Sequence, residues 1–177
     1  MRLVRTEMAS PIGPLTVVGG EMGLCAIEFA PYRDRTMMRL EKRFGAIDFV
    51  SGPMIDEAVA AIESYFAGDI AAIDRIPVDL GGTEFQQKVW ARLRRITAGS
   101  TTSYGELARA LGSPGAMRAV GMANGRNPVP IVVPCHRVIA SDGTLGGYGG
   151  GLPIKKWLLV HEGARIVFSD QMGLPMH

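Results

Sequence analysis

The hydrophobic pattern near the start of the chain has the period of a β-strand. Residues 15–18 and 24–29 are apolar runs on either side of a Gly-rich turn, which predicts a β-hairpin. Within the second run Cys25, Ile27 and Phe29 alternate with other residues, so we expect them to share one face of the strand. Cys25 is therefore predicted to be a small buried side chain, with a reactive thiol as the alternative.

Two helices are predicted after the hairpin. One covers residues 33–44, and the other covers residues 54–67, where apolar residues recur at helical spacing and Gly68 marks the end. Residues 1–78 thus form a small α/β unit, which we expect to have a core of its own. The following residues 79–82 end in a Gly-Gly pair and are predicted to be a linker.

Capping motifs and apolar stripes predict that the second half is mainly helical. Residues 83–86 and 103–106 each have the form of a capping box, the first followed by an apolar stripe and the second by a short helix. A Gly- and Pro-containing break at 112–115 separates that helix from another predicted over 116–125. Such a pair is typical of a helix-turn-helix, although many helical proteins contain one. Pro153 suits the first turn of a last helix.

These patterns together predict an α+β fold. A small N-terminal α/β domain, with an antiparallel sheet and helices, precedes a mainly helical domain over residues 83–177 with a plain or winged helix-turn-helix. The composition is that of a globular protein, with 47% apolar and 20% charged residues. No apolar run approaches the roughly 18 residues of a membrane span, and the N-terminus carries charges where a signal peptide needs apolar residues. We expect no membrane partner and a cytoplasmic location.

The counts of cysteine and glycine narrow the chemistry. Two cysteines argue against a disulfide scaffold and favour a reducing compartment, and they are too few for a structural zinc site unless the three histidines contribute ligands. Glycine occurs 23 times, where average usage of about 7% would give roughly 12. The stretch from Gly143 to Gly151 is particularly rich in glycine, so the backbone there must bend sharply or be approached closely.

The charge is divided unevenly between the two halves. Residues 1–82 hold 8 Lys/Arg against 12 Asp/Glu, a net of −4, whereas residues 83–177 hold 11 against 5, a net of +6. A basic half next to an acidic half is typical of a protein whose basic part meets a polyanion. Two solvated surfaces with a chance asymmetry would give the same numbers, so charge alone does not decide.

The second helix of the predicted helix-turn-helix is unusually slim. Its small residues are Ala116, Ala119, Gly121 and Ala123. Arg118 is its only charged group before Arg126. A helix with ordinary side chains is about 10–12 Å across and the minor groove of DNA is about 6 Å wide, so a slim helix could enter a modestly widened groove. Tight packing against another helix explains the small residues equally well.

Cys135 and His136 form the most suggestive pair of neighbours in the chain. They lie between an apolar segment, predicted to be a strand over 131–133, and the glycine-rich stretch. A thiol is reactive as its thiolate, so a histidine that accepts its proton would make Cys135 a nucleophile. Neighbours on a regular strand point to opposite faces, and two unrelated residues are the alternative unless a turn after Pro134 brings the side chains together.

Cys135 and His136 lie in one of five segments whose order and spacing match those of a known protein family. The region from about 83 to 165 resembles the O6-alkylguanine-DNA alkyltransferases, whose active-site signature is similar to residues 134–139 here. The matching segments are Tyr104-Gly-Glu-Leu-Ala, Arg118-Ala-Val-Gly-Met-Ala-Asn124 with Asn127-Pro, Pro134-Cys-His-Arg-Val-Ile139, Gly147-Tyr-Gly-Gly, and Lys156-Trp-Leu-Leu-Val-His-Glu162-Gly163. The N-terminal half resembles the small α/β domain of the same family only loosely.

The resemblance implies a catalytic role for five residues. Cys135 would be the nucleophile and His136 its base, through a water molecule, while Glu162 would orient the imidazole as in other relays. Asn127 would hold the loops around the cysteine by hydrogen bonds. Tyr104 would donate a proton or a hydrogen bond to the guanine as its O6 leaves. The thioether product has no carbonyl that water could attack, so the protein is expected to act once, without cofactor or metal.

The resemblance also implies how the lesion is reached. The family flips O6-alkylguanine, and by implication O4-alkylthymine, out of duplex DNA, because an atom inside the stack is inaccessible. The helix with the small residues would lie in the minor groove with little sequence preference, and Arg118 would fill the gap left by the base. The base pocket would be lined by Tyr148 and by backbone near Pro134, Val138 and Gly149. Some family members have Ser at the position of Gly149, which leaves the tolerance for bulky alkyl groups open.

Three other functions compete with a monomeric alkyltransferase. Alkyltransferase-like proteins sense lesions without repairing them, but commonly have Trp where this chain has Cys135. A cysteine hydrolase would explain Cys135, His136 and Glu162, but neither Arg118 nor the basic half. A transcription factor would leave the Cys-His pair unused, and its second helix would lack the polar side chains that read bases in the major groove.

Overall fold

The N-terminal part of the protein is built on a four-stranded sheet. The computed structural model describes residues 1–30 and 33–166, so the end of the predicted second domain, 167–177, lies outside the described residues. The sheet has the order β3-β2-β1-β4, with antiparallel pairing throughout except that β4 runs parallel to β1. Its strands are β1 (Arg2–Met8), β2 (Leu15–Gly20), β3 (Gly23–Phe29) and β4 (Asp48–Phe49).

The two helices predicted for this part are present at nearly the predicted bounds. They are α1 (Arg33–Phe44) and α2 (Asp56–Phe66), followed by a 3₁₀ turn over Ile70–Ile73. The strand pattern did not predict β1 and β4. Charged and apolar residues are mixed in β1, where Leu3, Val4 and Met8 are buried, and β4 has only two residues.

A β-bulge overturns one prediction about the hairpin. The pairing of β2 with β3 shifts between Val18 and Gly19, so that Cys25 is an extra residue without a partner. An extra residue breaks the two-residue alternation of a strand. Ile27 and Phe29 therefore belong to the main core, whereas Cys25 packs in a small cluster of its own with Leu3, Val18, Ala26 and Leu40. Cys25 is buried as expected, but on the other face.

The C-terminal part is mainly helical. Its helices are α3 (Glu84–Leu93), α4 (Tyr104–Ala110), α5 (Met117–Gly125) and α6 (Leu152–His161), and β5 (Thr102–Ser103) pairs in parallel with β6 (Val138–Ile139). Both predicted capping boxes are formed, by Thr83 with Gln86 and by Ser103 with Glu106. Among the described residues no helix has the length and apolar character needed to cross a membrane.

The predicted strand over 131–133 is a buried turn. Ile131 has a φ of 76°, which is rare for a β-branched residue, and the Val133 N–H donates to the carbonyl of Val129 at 2.9 Å. Asn127 stabilises the turn from both sides: its Nδ2 donates to the Val133 carbonyl at 2.7 Å and its Oδ1 accepts from the Val129 N–H at 3.0 Å. The apolar run reflects burial, and the turn leads directly into the 3₁₀ helix Cys135–Arg137.

The main hydrophobic core is shared between the two halves of the chain. One continuous cluster includes Leu15 and Ile62 from the first half and Leu93, Val120 and Leu158 from the second. Among residues 1–30 and 33–166, only the small cluster around Cys25 belongs wholly to the first half, so the expected separate core is minor. The division at 79–82 stays a prediction.

Because the core is shared, we predict that a core deletion destabilises the whole molecule. Leu93 is fully buried in α3, so Leu93→Ala should lower the free energy of unfolding by about 2–5 kcal/mol. Denaturant unfolding, followed by far-UV circular dichroism and tryptophan fluorescence, should show one coincident transition. The exposed neighbour Arg92 provides the control, since Arg92→Ala should cost no more than about 0.5 kcal/mol. Two separate transitions would contradict a shared core.

Candidate active site

A cavity of about 320 Å³ lies where the sheet, α5 and the glycine-rich loop meet, and Cys135 is in its wall. Six of the residues singled out from the sequence line it: Tyr104, Gly121, Asn127, Cys135, Tyr148 and Gly149. The Gly121 backbone lies against the Tyr104 ring, where an added Cβ would be 3.8 Å from the ring. The structure thus brings together residues that are far apart in the sequence.

The N-terminal part supplies the opposite wall of the cavity, which sequence reasoning missed. The lining residues from that part are Ile27, Glu28, Phe29, Thr36 and Arg39. The Phe29 ring meets the Tyr148 ring edge-to-face, with centroids 6.0 Å apart. A strand pattern shows that Phe29 is buried but not which distant side chain it contacts, so nothing in the sequence indicated this wall.

Three of the predicted site residues lie elsewhere. Pro134 and Val138 are not among the residues that line the cavity: both are buried, and Val138 is paired with Thr102 in the small parallel sheet. Ala123 faces the core, 2% exposed, and its carbonyl accepts a hydrogen bond from Trp90 Nε1 at 2.9 Å. Ala123 therefore cannot present its side chain to DNA, because α5 uses that face to pack on α3.

The Cys135 thiol is almost completely buried, at 6% exposure. Burial raises the pKa of Cys135, and this outweighs the opposing effects of the Asn127 side chain and of the positive charge on Lys155. The backbone is held on both sides, since the Cys135 N–H donates to the Val133 carbonyl at 2.8 Å and Asn124 Nδ2 donates to the Cys135 carbonyl at 3.4 Å. The resting thiol is protonated and needs a base to react.

His136, the next residue in the chain, is the candidate base and is fully buried. Its Nε2 lies 2.8 Å from Glu162 Oε1, while its Nδ1 is buried and has no hydrogen-bond partner among the described residues. Burial lowers the pKa of His136 in spite of Glu162, and the charges of Arg137 and Lys155 lower it further. A neutral imidazole with its proton on Nε2 fits this geometry, and Nδ1 is then free to accept a proton.

Glu162 stays negatively charged although it is buried, because the side chains of Arg137, Tyr65 and His136 are within hydrogen-bond distance of its carboxylate. Arg137 donates from Nε to Oε2 at 2.8 Å and from Nη2 to Oε1 at 2.9 Å, and the Tyr65 hydroxyl donates to Oε1 at 2.9 Å. Burial opposes the charged form, but the hydrogen bonds from His136 and Arg137 together outweigh it and lower the pKa of Glu162 to about 2. Sequence reasoning identified Glu162 and His136 but missed Arg137 and Tyr65.

A buried lysine, also missed, ties down the loop that carries the cavity wall. Lys155 Nζ donates to the carbonyls of Val138 at 2.6 Å and Gly147 at 3.3 Å, and to that of Leu145. Burial lowers the pKa of Lys155 to about 8. In the sequence, Lys155 and its exposed neighbour Lys156 look like two lysines on the solvent-facing side of a helix. The burial of Lys155 is visible only in the folded structure.

The exposed face of α5 is less slim than the sequence indicated. Arg118, Ala119 and Arg126 are exposed, Ala116 and Gly121 are half-buried. Two large apolar side chains, Met117 and Met122, stand on the same helix at 52% and 57% exposure. These two methionines add apolar surface to a segment that also presents Arg118 and Arg126 to solvent.

Comparison with known proteins identifies the family of the chain. Residues 84–164 match the family model of the 6-O-methylguanine DNA methyltransferase DNA-binding domain, and residues 3–80 match the model of the ribonuclease-like domain of the same family. The chain belongs to the 6-O-methylguanine DNA methyltransferase family. The family resemblance inferred from the sequence is confirmed, as is the α+β fold.

Relatives of known name cover nearly the whole chain. The methylated-DNA–protein-cysteine methyltransferase of Salmonella typhimurium is 48% identical over 166 residues, 92% of this chain and 97% of the relative. That of Methanosarcina acetivorans is 43% identical over 157 residues, 88% and 95% of the two chains. A structure of Mycobacterium tuberculosis OGT in complex with DNA matches this methyltransferase-family fold with a TM-score of 0.73 and 41% identity, covering 92% of this chain and 93% of that one.

We predict that Asn127 stabilises the site through the turn before Cys135. Asn127→Ala leaves the buried Val129 N–H and Val133 carbonyl without these partners, which should cost about 2–3 kcal/mol of unfolding free energy. Alkyl transfer should slow at the same time, because the Cys135 backbone follows the turn. Denaturant titration checks the first effect, with Ser141→Ala in the exposed loop as control. Wild-type stability in Asn127→Ala would show that the turn does not depend on these bonds.

Proposed function

We propose that this protein repairs alkylated duplex DNA by transferring the alkyl group of O6-alkylguanine, and of O4-alkylthymine, irreversibly to Cys135. Family membership supports the reaction class. The observation that supports the assignment to Cys135 is its position in the cavity wall, next in sequence to His136, whose Nε2 is within hydrogen-bond distance of Glu162. Cys25, the other cysteine, is buried away from the cavity.

The chemistry follows from the protonation states of the site. The Cys135 thiol gives its proton to His136 Nδ1, directly or through a water molecule, and Glu162 stabilises the imidazolium that forms. The sulfur then attacks the alkyl carbon, so that an S–C bond forms as the C–O6 bond breaks. Burial raises the pKa of Tyr104, so its hydroxyl stays protonated and donates a hydrogen bond to the departing guanine. As the guanine leaves as an anion, the imidazolium of His136 gives up the thiol proton, which reaches the guanine through water, so His136 and Tyr104 end in their starting protonation states.

The product explains why each molecule acts once. A thioester is hydrolysed because its carbonyl accepts water, whereas an alkyl thioether offers no such carbon. Nothing in this proposed reaction requires a metal or another cofactor, since proton transfer and displacement balance without an added oxidant or reductant. We infer that repair consumes the protein stoichiometrically.

The exposed face of α5 is the proposed DNA contact. Arg118 would replace the flipped base in the stack, while Arg126 contacts phosphate and Ala116, Ala119 and Gly121 allow the backbone to approach closely. Proteins that bind the minor groove often insert apolar side chains between bases, and Met117 and Met122 are exposed for such contacts. The minor groove offers a degenerate code, so we propose little sequence preference.

One chain supplies the whole proposed site, which supports action as a monomer. In this proposal residues 83–177 bind DNA and carry out transfer, while residues 1–78 close one side of the cavity. Both cysteines are free thiols, and together with a DNA substrate this supports a cytoplasmic location.

The proposed transfer predicts a covalent product on one residue. Incubation with an O6-methylguanine duplex should add one methyl group to each protein molecule, and peptide mass spectrometry should locate it on Cys135. Cys135→Ala should lose repair completely, because no other thiol reaches the cavity, but should still bind the lesion. Cys25→Ala is the matched control and should be methylated like the wild type. Multiple turnovers would instead favour the cysteine hydrolase.

Arg118 is predicted to act on duplex DNA only. Extruding a base costs a few kcal/mol, so Arg118→Ala should slow repair in a duplex about tenfold or more. Reaction with free O6-benzylguanine, which needs no flipping, should be unchanged. Arg75→Ala removes an exposed positive charge from the first half and serves as control. Equal losses on both substrates would show that Arg118 stabilises the pocket and has no specific role in flipping. Repair rates that vary strongly with the flanking sequence would contradict binding with little sequence preference.

A further inference from the structure

We infer that Tyr65 is a positioning residue for alkyl transfer: the N-terminal part of the chain supplies the hydroxyl that completes the relay of Cys135, His136 and Glu162. This inference rests on the proposed function, because the relay matters only if Cys135 reacts. It assigns the first half a role inside the reaction, beyond forming a cavity wall.

The hydrogen bond from Tyr65 reaches the oxygen that faces the histidine. Tyr65 is fully buried at the end of α2, and its hydroxyl donates to Glu162 Oε1 across 97 positions of sequence. The same Oε1 lies 2.8 Å from His136 Nε2. A donor to Oε2, or to the backbone, would only anchor the glutamate, whereas a donor to Oε1 competes directly with the imidazole.

The Tyr65 hydroxyl is held in place by contacts on the rest of the residue. The Tyr65 carbonyl lies 2.7 Å from His161 Nε2, and its ring meets the His161 ring edge-on at 5.0 Å between centroids. The Phe66 ring also contacts the Tyr65 ring, with centroids 5.3 Å apart. Since α6 carries both His161 and Glu162, the same helix fixes the ring of Tyr65 and receives its hydrogen bond.

The charges around His136 explain why this donor matters. Glu162 and Arg137 contact each other beside the imidazole, Lys155 approaches from α6, and the Cys135 thiol and Tyr148 hydroxyl lie on the cavity side. Only Glu162 favours the imidazolium. The donors that withdraw charge from Glu162 Oε1 therefore help to keep His136 neutral, the form that can accept the thiol proton.

Removing the hydroxyl should make Oε1 a stronger partner for His136. The pKa of His136 should rise by about half a unit to one unit, the range expected for loss of one hydrogen bond to a carboxylate. Less of the histidine is then neutral at slightly acid pH. The acid limb of the pH profile for alkyl transfer should move to higher pH by the same amount.

The test is Tyr65→Phe in the full chain, which keeps the ring and its contacts with Phe66 and His161. Single-turnover transfer from an O6-methylguanine duplex is measured from pH 5 to pH 9 in wild type and variant. We expect the variant to be about three- to tenfold slower on the acid limb and nearly equal on the alkaline plateau, with unchanged affinity for undamaged duplex. Thr16→Val removes another buried hydroxyl of the first half, in β2, and should leave the profile unchanged.

A second comparison separates a relay effect from a loss of folding. In the background Glu162→Gln, adding Tyr65→Phe should shift the acid limb no further, because the carboxylate charge is already gone. Superimposable wild-type and Tyr65→Phe profiles, or an equal loss at every pH, would overturn the role of Tyr65 while leaving the proposed function intact. Failure of the wild type to methylate Cys135 would overturn the proposed function itself.

Discussion

The buried negative charge of Glu162 is the constraint on which the rest of the site depends. Glu162 is the C-cap residue of α6, an end of a helix that disfavours a carboxylate, and its side chain is withdrawn from water. Arg137 offsets the charge through two hydrogen bonds, and His136 and Tyr65 complete its coordination. The last helix, the cysteine-bearing 3₁₀ turn and α2 of the first half are therefore fixed to one another at a single carboxylate.

The arrangement keeps the nucleophile inactive until substrate is present. Burial holds Cys135 as a thiol and His136 as a neutral imidazole, so the ion pair that reacts does not exist at rest. A protein that is consumed by its reaction gains from this, because stray electrophiles attack thiolates. In the proposed reaction the bound base then supplies the alkyl group, and Tyr104 supplies a hydrogen bond that makes the guanine a better leaving group.

Capping motifs and apolar periodicity in the sequence correctly predicted those elements whose hydrogen bonds join residues close in sequence. The capping boxes at Thr83 and Ser103 and the bounds of α1 belong to this group, since their hydrogen bonds join residues close in sequence. Motif and order together led to the prediction of Cys135, His136 and Glu162 as site residues, and the structure places Cys135 in the cavity wall and His136 against Glu162. The alternation rule failed at Cys25, where one extra residue shifts the face of the strand, and at Ile131, where a buried turn has the same apolar letters as a strand.

Long-range contacts account for what the sequence could not show. The bond of Tyr65 to Glu162 and the wall formed by Phe29 join distant segments, and neither residue differs in pattern from an ordinary core aromatic. Lys155 resembles a surface lysine until the fold surrounds it with three carbonyls. The reverse error occurred at Ala123, whose small side chain serves helix packing.

The protonation state of His136 is the most direct test of this account. Nitrogen-15 NMR of the imidazole in the unreacted protein distinguishes its two neutral tautomers from the imidazolium. At pH 7 the account predicts a neutral ring with its proton on Nε2, hydrogen-bonded to Glu162, and a bare Nδ1 that is free to take the proton of Cys135. An imidazolium at rest, or a proton on Nδ1, would contradict it, because His136 could not then serve as the base.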